Sequence, residues 1–261
     1  MEINLDGKVA IVTASSKGIG FGVAKVFSMC NASVILLSRN EENLKNAAEK
    51  IETISGSKPK YIVADLTDKK QLENAIEEIK REKPSIFFFS TGGVKPGYFM
   101  EMRKEDWDKA INLLLHPAIY LTKELLPDMI KRKWGRIIYL TSTAIKEVIP
   151  NIALSNVVRI TMAGLVRTLA KEVGMYGITV NGIMPGMIKT DRIIQLARDK
   201  AKREGTTMEE ALKNLSATIP AARLGMPEEI GYLAAFLASD FASYINGALI
   251  PVDGGKLNST L

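Results

Sequence analysis

Apolar positions fall into short dense runs separated by longer amphipathic stretches, and this alternation repeats along the whole chain. Val9–Val12, Ser33–Leu37, Tyr61–Ala64, Ile86–Phe89, Arg136–Leu140, Thr179–Ile183 and Ala248–Val252 read as buried strands. Between them, Phe21–Met29, Glu41–Thr53, Lys69–Arg81, Glu105–Lys131, Asn156–Gly174, Ile193–Ala217 and Pro227–Ala238 carry the helical period. Pro117 and Pro127 place kinks or first-turn positions within the Glu105–Lys131 stretch, in one helix or two, and Gly205 breaks the polar Ile193–Ala217 stretch. Strands alternating with helices predict an α/β, doubly wound (Rossmann) domain. Its seven-stranded parallel sheet carries helices on both faces. Neither a linker, a repeat nor a shift in composition divides the 261 residues, so one domain is expected over 1–261.

The apolar share of 46% and the charged share of 25% belong to a globular chain, and no apolar run is long enough to span a bilayer. Met1 to Lys8 has no apolar stretch of the kind a secretory signal needs, and the lone Cys30 cannot pair within the chain. A cytoplasmic location and a buried thiol are the expectations. The net charge of +6 suits anionic ligands, but the basic residues are dispersed, and the cluster Lys131–Lys133 falls where a helix ends. Nucleic acid is therefore not the expected partner. No His, Cys and carboxylate grouping points to a metal.

The first strand runs into Thr13-Ala-Ser-Ser-Lys-Gly-Ile-Gly20, and a helix follows. A glycine-rich turn between strand and helix lets the backbone approach a pyrophosphate seated on the helix N-terminus. Candidate contacts are Thr13, Ser15, Ser16, Lys17, Gly18, Ile19 and Gly20. About twenty residues on, where an acid would hold a ribose 2′-hydroxyl, stand Ser38 and Arg39. An acid would repel a 2′-phosphate, whereas serine with arginine accepts one, and Lys17 adds a second cation. NADP(H) is thus expected over NAD(H), the competing reading being that Lys17 and Arg39 are ordinary solvated charges.

The second half resembles the classical short-chain dehydrogenases/reductases, and in particular their 3-oxoacyl-carrier-protein reductase-like members. The residues that carry this are Asn181-Gly-Ile-Met-Pro-Gly-Met-Ile-Lys-Thr190, Arg223-Leu-Gly-Met-Pro-Glu-Glu229, Phe236-Leu-Ala-Ser-Asp240 and Val252-Asp-Gly-Gly255, with Thr13–Gly20 and Asp65 in the first half. The resemblance implies that Asp65 and Leu66 meet the adenine end, and that Ser90, Thr91 and Gly92 line the cofactor. It places Asn181, Pro185, Gly186 and Ile188 near the nicotinamide, with Thr190 at its carboxamide. It also implies a homotetramer paired through the Glu105–Lys131 and Asn156–Gly174 helices, and a substrate-covering segment over 191–217.

In that family a tyrosine exchanges a proton with the substrate oxygen and a serine hydrogen-bonds the same oxygen. A lysine four residues after the tyrosine lowers its pKa and holds the ribose, and an asparagine on the preceding helix holds a relay water. Ser142 matches the serine. The tyrosine position is Ser155, the lysine position Arg159 and the asparagine position, counted from Trp107, Leu114. A phenol near pKa 10 becomes a workable acid beside a cation; an aliphatic hydroxyl does not, and it falls short by the length of a ring. Arg159 stays a cation one turn from Ser155. Tyr98, Lys95, Lys146, Glu147 and His116 are possible surrogate donors, each more simply read as a loop or packing residue, and Tyr139 should face away from Ser142. Two readings follow. One is an NADP(H)-dependent oxidoreductase acting on a small-molecule carbonyl or alcohol with a non-standard proton donor. The other is an NADP(H)-binding homologue without catalysis, serving as a sensor or silent subunit.

Overall fold

The computed structural model describes residues 2–259; Met1, Thr260 and Leu261, at the ends of the expected domain, lie outside the described residues. Seven strands form one parallel sheet: β1 (Val9–Thr13), β2 (Ser33–Ser38), β3 (Lys60–Val63), β4 (Ile86–Phe89), β5 (Gly135–Leu140), β6 (Ile178–Pro185) and β7 (Leu249–Val252). Their order is β3-β2-β1-β4-β5-β6-β7. The chain winds outward from β1 in one direction and, after β3, from β4 in the other. The crevice beyond the C-terminal ends of β1 and β4 is therefore the topological switch point, where ligands bind in open α/β sheets.

The helices are α1 (Gly18–Met29), α2 (Glu41–Ser55), α3 (Lys69–Arg81), α4 (Lys104–Leu114), α5 (His116–Arg132), α6 (Ala153–Val173), α7 (Asp191–Glu204), α8 (Met208–Ala217) and α9 (Pro227–Ala238). The period-2 alternation of the strands sorts their side chains between two cores. Ala10, Val12, Val34, Leu36, Ile86 and Phe88 pack under α1, α2 and α9. Ile11, Ile35, Leu37, Phe87, Phe89 and Tyr139 pack under α3, α5 and α6. Burial of each large side chain contributes about 1.5–3 kcal/mol. The sheet is the single doubly wound domain that the alternation predicts.

Several boundaries differ from the sequence reading for local reasons. α1 begins at Gly18 rather than Phe21, because the glycines of the turn are themselves the first helical residues. The long stretch before β5 is two helices that meet at Leu115, with Pro117 in the first turn of α5, where its missing N–H costs nothing, and Pro127 inside it. Gly205 ends α7 in the left-handed conformation, as an αL cap does. Cys30 is half-buried at the end of α1, not fully interior.

In the turn between β1 and α1, Ala14 has φ 49°. The left-handed region costs a residue with a Cβ roughly 1–2 kcal/mol, partly offset in glycine by a larger loss of chain entropy. Ala14→Gly is therefore expected to stabilise the fold by about 0.5–1 kcal/mol, seen as a higher melting temperature. An unchanged or lower one would mean that the turn is not strained.

Candidate functional site

The glycine-rich turn is held by its own hydroxyls. Thr13 Oγ1 donates to the Ser90 carbonyl and accepts from the Ser90 N–H at 2.8 Å, locking the end of β1 to the end of β4. Ser15 Oγ accepts from the Leu37 N–H at 2.9 Å, locking the turn to β2. The side chains of Thr13 and Ser15 thus shape the crevice and have little left for a ligand, while Ser90 takes part through its backbone. A Cβ on Gly20 would strike the Ala14 carbonyl, so only glycine lets the helix start this close. Lys17 stands at the N-cap of α1 and Ile19 in its first turn.

Ser16 and Ser38 share a hydrogen bond of 2.9 Å between their hydroxyls, which brings the second strand's end to the turn. Arg39 is exposed and pairs with Asp65 at 3.5 Å. Asp65 also accepts from the Thr67 N–H and hydroxyl. These bonds and Arg39 outweigh the cost of its partial burial and hold its carboxyl below the usual range. Leu66 is buried, with its side chain in the core beneath α3. A cavity of about 420 Å³ beside the turn is lined by Ser16, Lys17, Gly18, Lys50, Lys189 and Thr190, and also by Asp191, 4.0 Å from Lys17, and Glu228, paired with Lys25. Its lysines and the helix N-terminus fit the phosphates of a dinucleotide. Lys50 and Lys189 are absent from the sequence-based site, since only the tertiary fold brings them to the turn.

The Pro185–Thr190 loop closes over the same place. Thr190 packs on Gly18, with its Cγ2 3.4 Å from where a Cβ would stand. Ile188 is buried and bridges to Gly225, and Gly186 abuts Asp253 so closely that a Cβ would collide. Asn181 is a correction. It is fully buried in β6, its amide donating to the Ile245 carbonyl and accepting from the Ala248 N–H. It braces β6 against the turn before β7 and does not reach a nicotinamide.

On the reaction side, Ser142 follows β5, half-buried, and its Oγ accepts from the Ala144 N–H at 3.0 Å. Its own proton has no acceptor among the described residues. Ser155 is nearly buried in the first turn of α6, and its hydroxyl has no side-chain hydrogen bond among the described residues. Leu114 is 2% exposed and packs with Ala110, Leu154 and Val158, so a dry apolar cluster stands where a polar relay would run. Asn112 donates instead to the Thr67 carbonyl at 3.0 Å, on another side of α4.

Arg159 Nη1 donates to the Thr141 carbonyl at 3.3 Å, beside Ser142. Loss of solvent lowers its guanidinium to about 10, and the charge of Arg192 pushes the same way. Arg192, in the first turn of α7, fills the space a Cβ on Gly93 would take, after the Ser90-Thr91-Gly92 segment. Nothing in the sequence marked this arginine, which reads there as one more charge on a polar helix.

The surrogate donors fare unevenly. Tyr139 is buried between sheet and α5, bonded to Thr122, and its phenol is pushed far up by burial, out of use as an acid. Lys95 is paired with Asp106 at 3.0 Å and Glu147 with Asn258. His116 stacks on Tyr120. Tyr98 and Lys146 are exposed. Among the described residues, no three His, Cys, Asp or Glu gather to hold a metal ion, and no helix is long and apolar enough to cross a membrane.

Comparison with known proteins agrees over nearly the full length. The profile of a family described as enoyl-(acyl carrier protein) reductase matches residues 13–256. Oxidoreductase UcpA of Salmonella typhimurium is 34% identical over 97% of this chain and 95% of its own. The 3-oxoacyl-[acyl-carrier-protein] reductase FabG of Aquifex aeolicus is 32% identical over 98% of this chain and 99% of its own. The structure of L-sorbose reductase from Gluconobacter frateurii, complexed with NADPH and L-sorbose, superposes with a TM-score of 0.95 at 29% identity, covering 99% of this chain and 100% of that one. With the turn, the Pro-Gly loop and the serine in one crevice, this chain belongs to the classical short-chain dehydrogenase/reductase family, among its 3-oxoacyl-carrier-protein reductase-like members.

Proposed function

We propose that this protein is an NADP(H)-dependent oxidoreductase acting on a small-molecule carbonyl or alcohol, with a proton donor other than the family's tyrosine. The observation that carries this reading is the convergence on one crevice of the Thr13–Gly20 turn, the Ser38–Arg39 pair, Thr190 and the uncommitted Ser142 hydroxyl. Of two similar solved structures, that of the L-sorbose reductase is complexed with NADPH and that of YwfH is described as an NADPH-dependent reductase.

Bound NADPH would supply the hydride to a carbonyl carbon. The residues of this chain have separate tasks. Arg39 and Lys17 take the 2′-phosphate, and the amides of the turn take the pyrophosphate. Arg159 holds the ribose and keeps a positive charge beside the reacting oxygen. Ser142 donates a hydrogen bond to that oxygen as negative charge develops on it. Ser155, short and nearly buried, leaves room where a ring would stand, and the proton comes from another acid or from water. The segment 191–217 covers the substrate side, and residues 1–261 act as one domain.

The dry cluster around Leu114 favours the second reading, a silent NADP(H)-binding homologue. Single-turnover mixing of the NADPH-loaded protein with a broad panel of carbonyl compounds separates the two. Loss of NADPH absorbance with stoichiometric alcohol formation is expected. Tight NADPH binding without any oxidation would establish the silent form.

A cytoplasmic homotetramer is part of the proposal. Ile119 and Tyr120 on α5, and Val157 and Ile160 on α6, expose apolar area along the two helices expected to pair. Light scattering is expected to give a multiple of 28.6 kDa, and a monomer mass at micromolar concentration would refute it.

A further inference from the structure

Two guanidinium groups converge over the C-terminal ends of β4 and β5, and no carboxylate meets either. Arg159 reaches the carbonyl of Thr141 from α6. Arg192 comes from the opposite wall, off the first turn of α7, and lies against Gly93 just beyond β4. β4 and β5 are hydrogen-bonded neighbours, so the two side chains flank the space in front of Ser142. Among the described residues, neither arginine forms a salt bridge, and Asp191, beside Arg192 at the start of α7, stands 4.0 Å from Lys17 instead.

This arrangement works against stability unless something joins it. Two like charges in a partly dehydrated crevice repel. A cation in the first turn of a helix also opposes the helix dipole, which favours anions there. Arg192 therefore gains nothing from its own helix, and Arg159 gains nothing from Arg192. An anion placed between them reverses both costs, and guanidinium matches a carboxylate in two parallel hydrogen bonds. The nicotinamide end of the cofactor cannot be that anion, being neutral when reduced and cationic when oxidised. The phosphates of the cofactor have their own cations, Lys17, Lys50 and Lys189, beside the turn.

We propose that Arg159 and Arg192 form a carboxylate-binding site, and that the substrate is an oxo acid or hydroxy acid whose carboxylate spans them while its carbonyl or hydroxyl lies at Ser142. The inference rests on the reading of this crevice as a nicotinamide-dependent oxidoreductase site and adds the class of substrate. Arg192 is a specificity residue on the covering segment. It makes the segment's closure depend on the substrate's charge, which links binding to exclusion of water. A neutral ketone would leave both charges unpaired and would be rejected for that reason.

The test uses the full chain saturated with NADP⁺, which forms a dead-end complex with an oxo acid and so reports binding without turnover. Calorimetric titrations with 2-oxobutanoate, acetoacetate and levulinate are compared with their methyl esters. At least one acid is expected to bind about tenfold or more tighter than its ester, the scale of a charged hydrogen bond. Arg192→Gln should erase that difference and leave NADP⁺ affinity within about twofold, while Arg192→Lys should keep part of it. Arg192 is exposed, and a melting curve checks that the variants fold. Equal binding of acids and esters, or no binding of any acid, overturns the proposal. An equal loss of NADP⁺ affinity in Arg192→Gln also overturns it and makes Arg192 a cofactor contact. A chain with no affinity for NADP⁺ or NADPH would instead overturn the oxidoreductase reading on which the proposal rests.

Discussion

Leu114→Asn, Ser155→Tyr and Arg159→Lys, combined, are expected to raise NADPH-dependent reduction of simple neutral ketones by about 10²–10⁴-fold, the usual worth of general acid catalysis. The tyrosine would place a proton at the oxygen that Ser142 already faces. The lysine would bring the phenol toward neutrality and would remove one of the two guanidinium groups. The asparagine would open a polar path through the cluster of Ala110, Leu154 and Val158. Ser155→Tyr alone should gain almost nothing, because groups that act as a unit are not additive. A buried amide without partners costs about 1–3 kcal/mol, so the variants need melting curves beside the rates. A triple variant that folds and binds NADPH but stays inert on a broad carbonyl panel would show that the substrate side has been remodelled as well. A native activity abolished by Ser155→Tyr alone would show that the space beside Ser142 is needed for substrate.

Arg39→Ala is expected to weaken NADPH by roughly 1.5–3 kcal/mol, the range for a hydrogen bond to a charged group, or about 10–150-fold in Kd. NADH should be nearly unaffected. Arg39 is exposed and, among the described residues, paired only with Asp65 at 3.5 Å, so it can turn to a 2′-phosphate at small cost. Asp65→Asn offers an opposite check. Freeing Arg39 from that carboxylate should raise the preference for NADPH over NADH, since loss of an adenine contact at Asp65 falls on both cofactors alike. Quenching of tryptophan fluorescence or calorimetry measures the NADPH and NADH affinities of the native chain and of both variants. Equal Kd values for NADPH and NADH in the native chain would remove the basis for assigning the 2′-phosphate to Arg39.

Much of this architecture is legible without coordinates, because each strand writes its burial as alternation. Ala10 and Val12 go to one core and Ile11 to the other. The rotation of a helix per residue suffices to turn Asn112 away from the position of Leu114, and its amide indeed meets Thr67. Other features need the tertiary fold. A threonine or serine in a glycine-rich turn reads as a ligand contact, yet the hydroxyls of Thr13 and Ser15 are spent on Ser90 and Leu37, far along the chain. Asn181 sits beside the Pro-Gly loop in sequence, but strand pairing carries it into the interior, where its amide serves the Ile245–Ala248 turn. Arg192 escapes for the converse reason. An exposed cation on a polar helix carries no periodic signal, and only the tertiary fold brings its guanidinium against Gly93, beyond the end of β4.

The central claim is that a crevice which keeps the family's cofactor apparatus still moves hydride without the family's tyrosine. Transfer of label from NADPH deuterated at the transferable nicotinamide position tests it most directly. The native chain is mixed with a panel of oxo acids and neutral ketones, and the alcohol products are read by mass spectrometry. Deuterium on the carbinol carbon of at least one product, in one-to-one ratio with NADPH consumed, is the result expected. Saturating NADPH binding with no labelled alcohol from any member of the panel would contradict it.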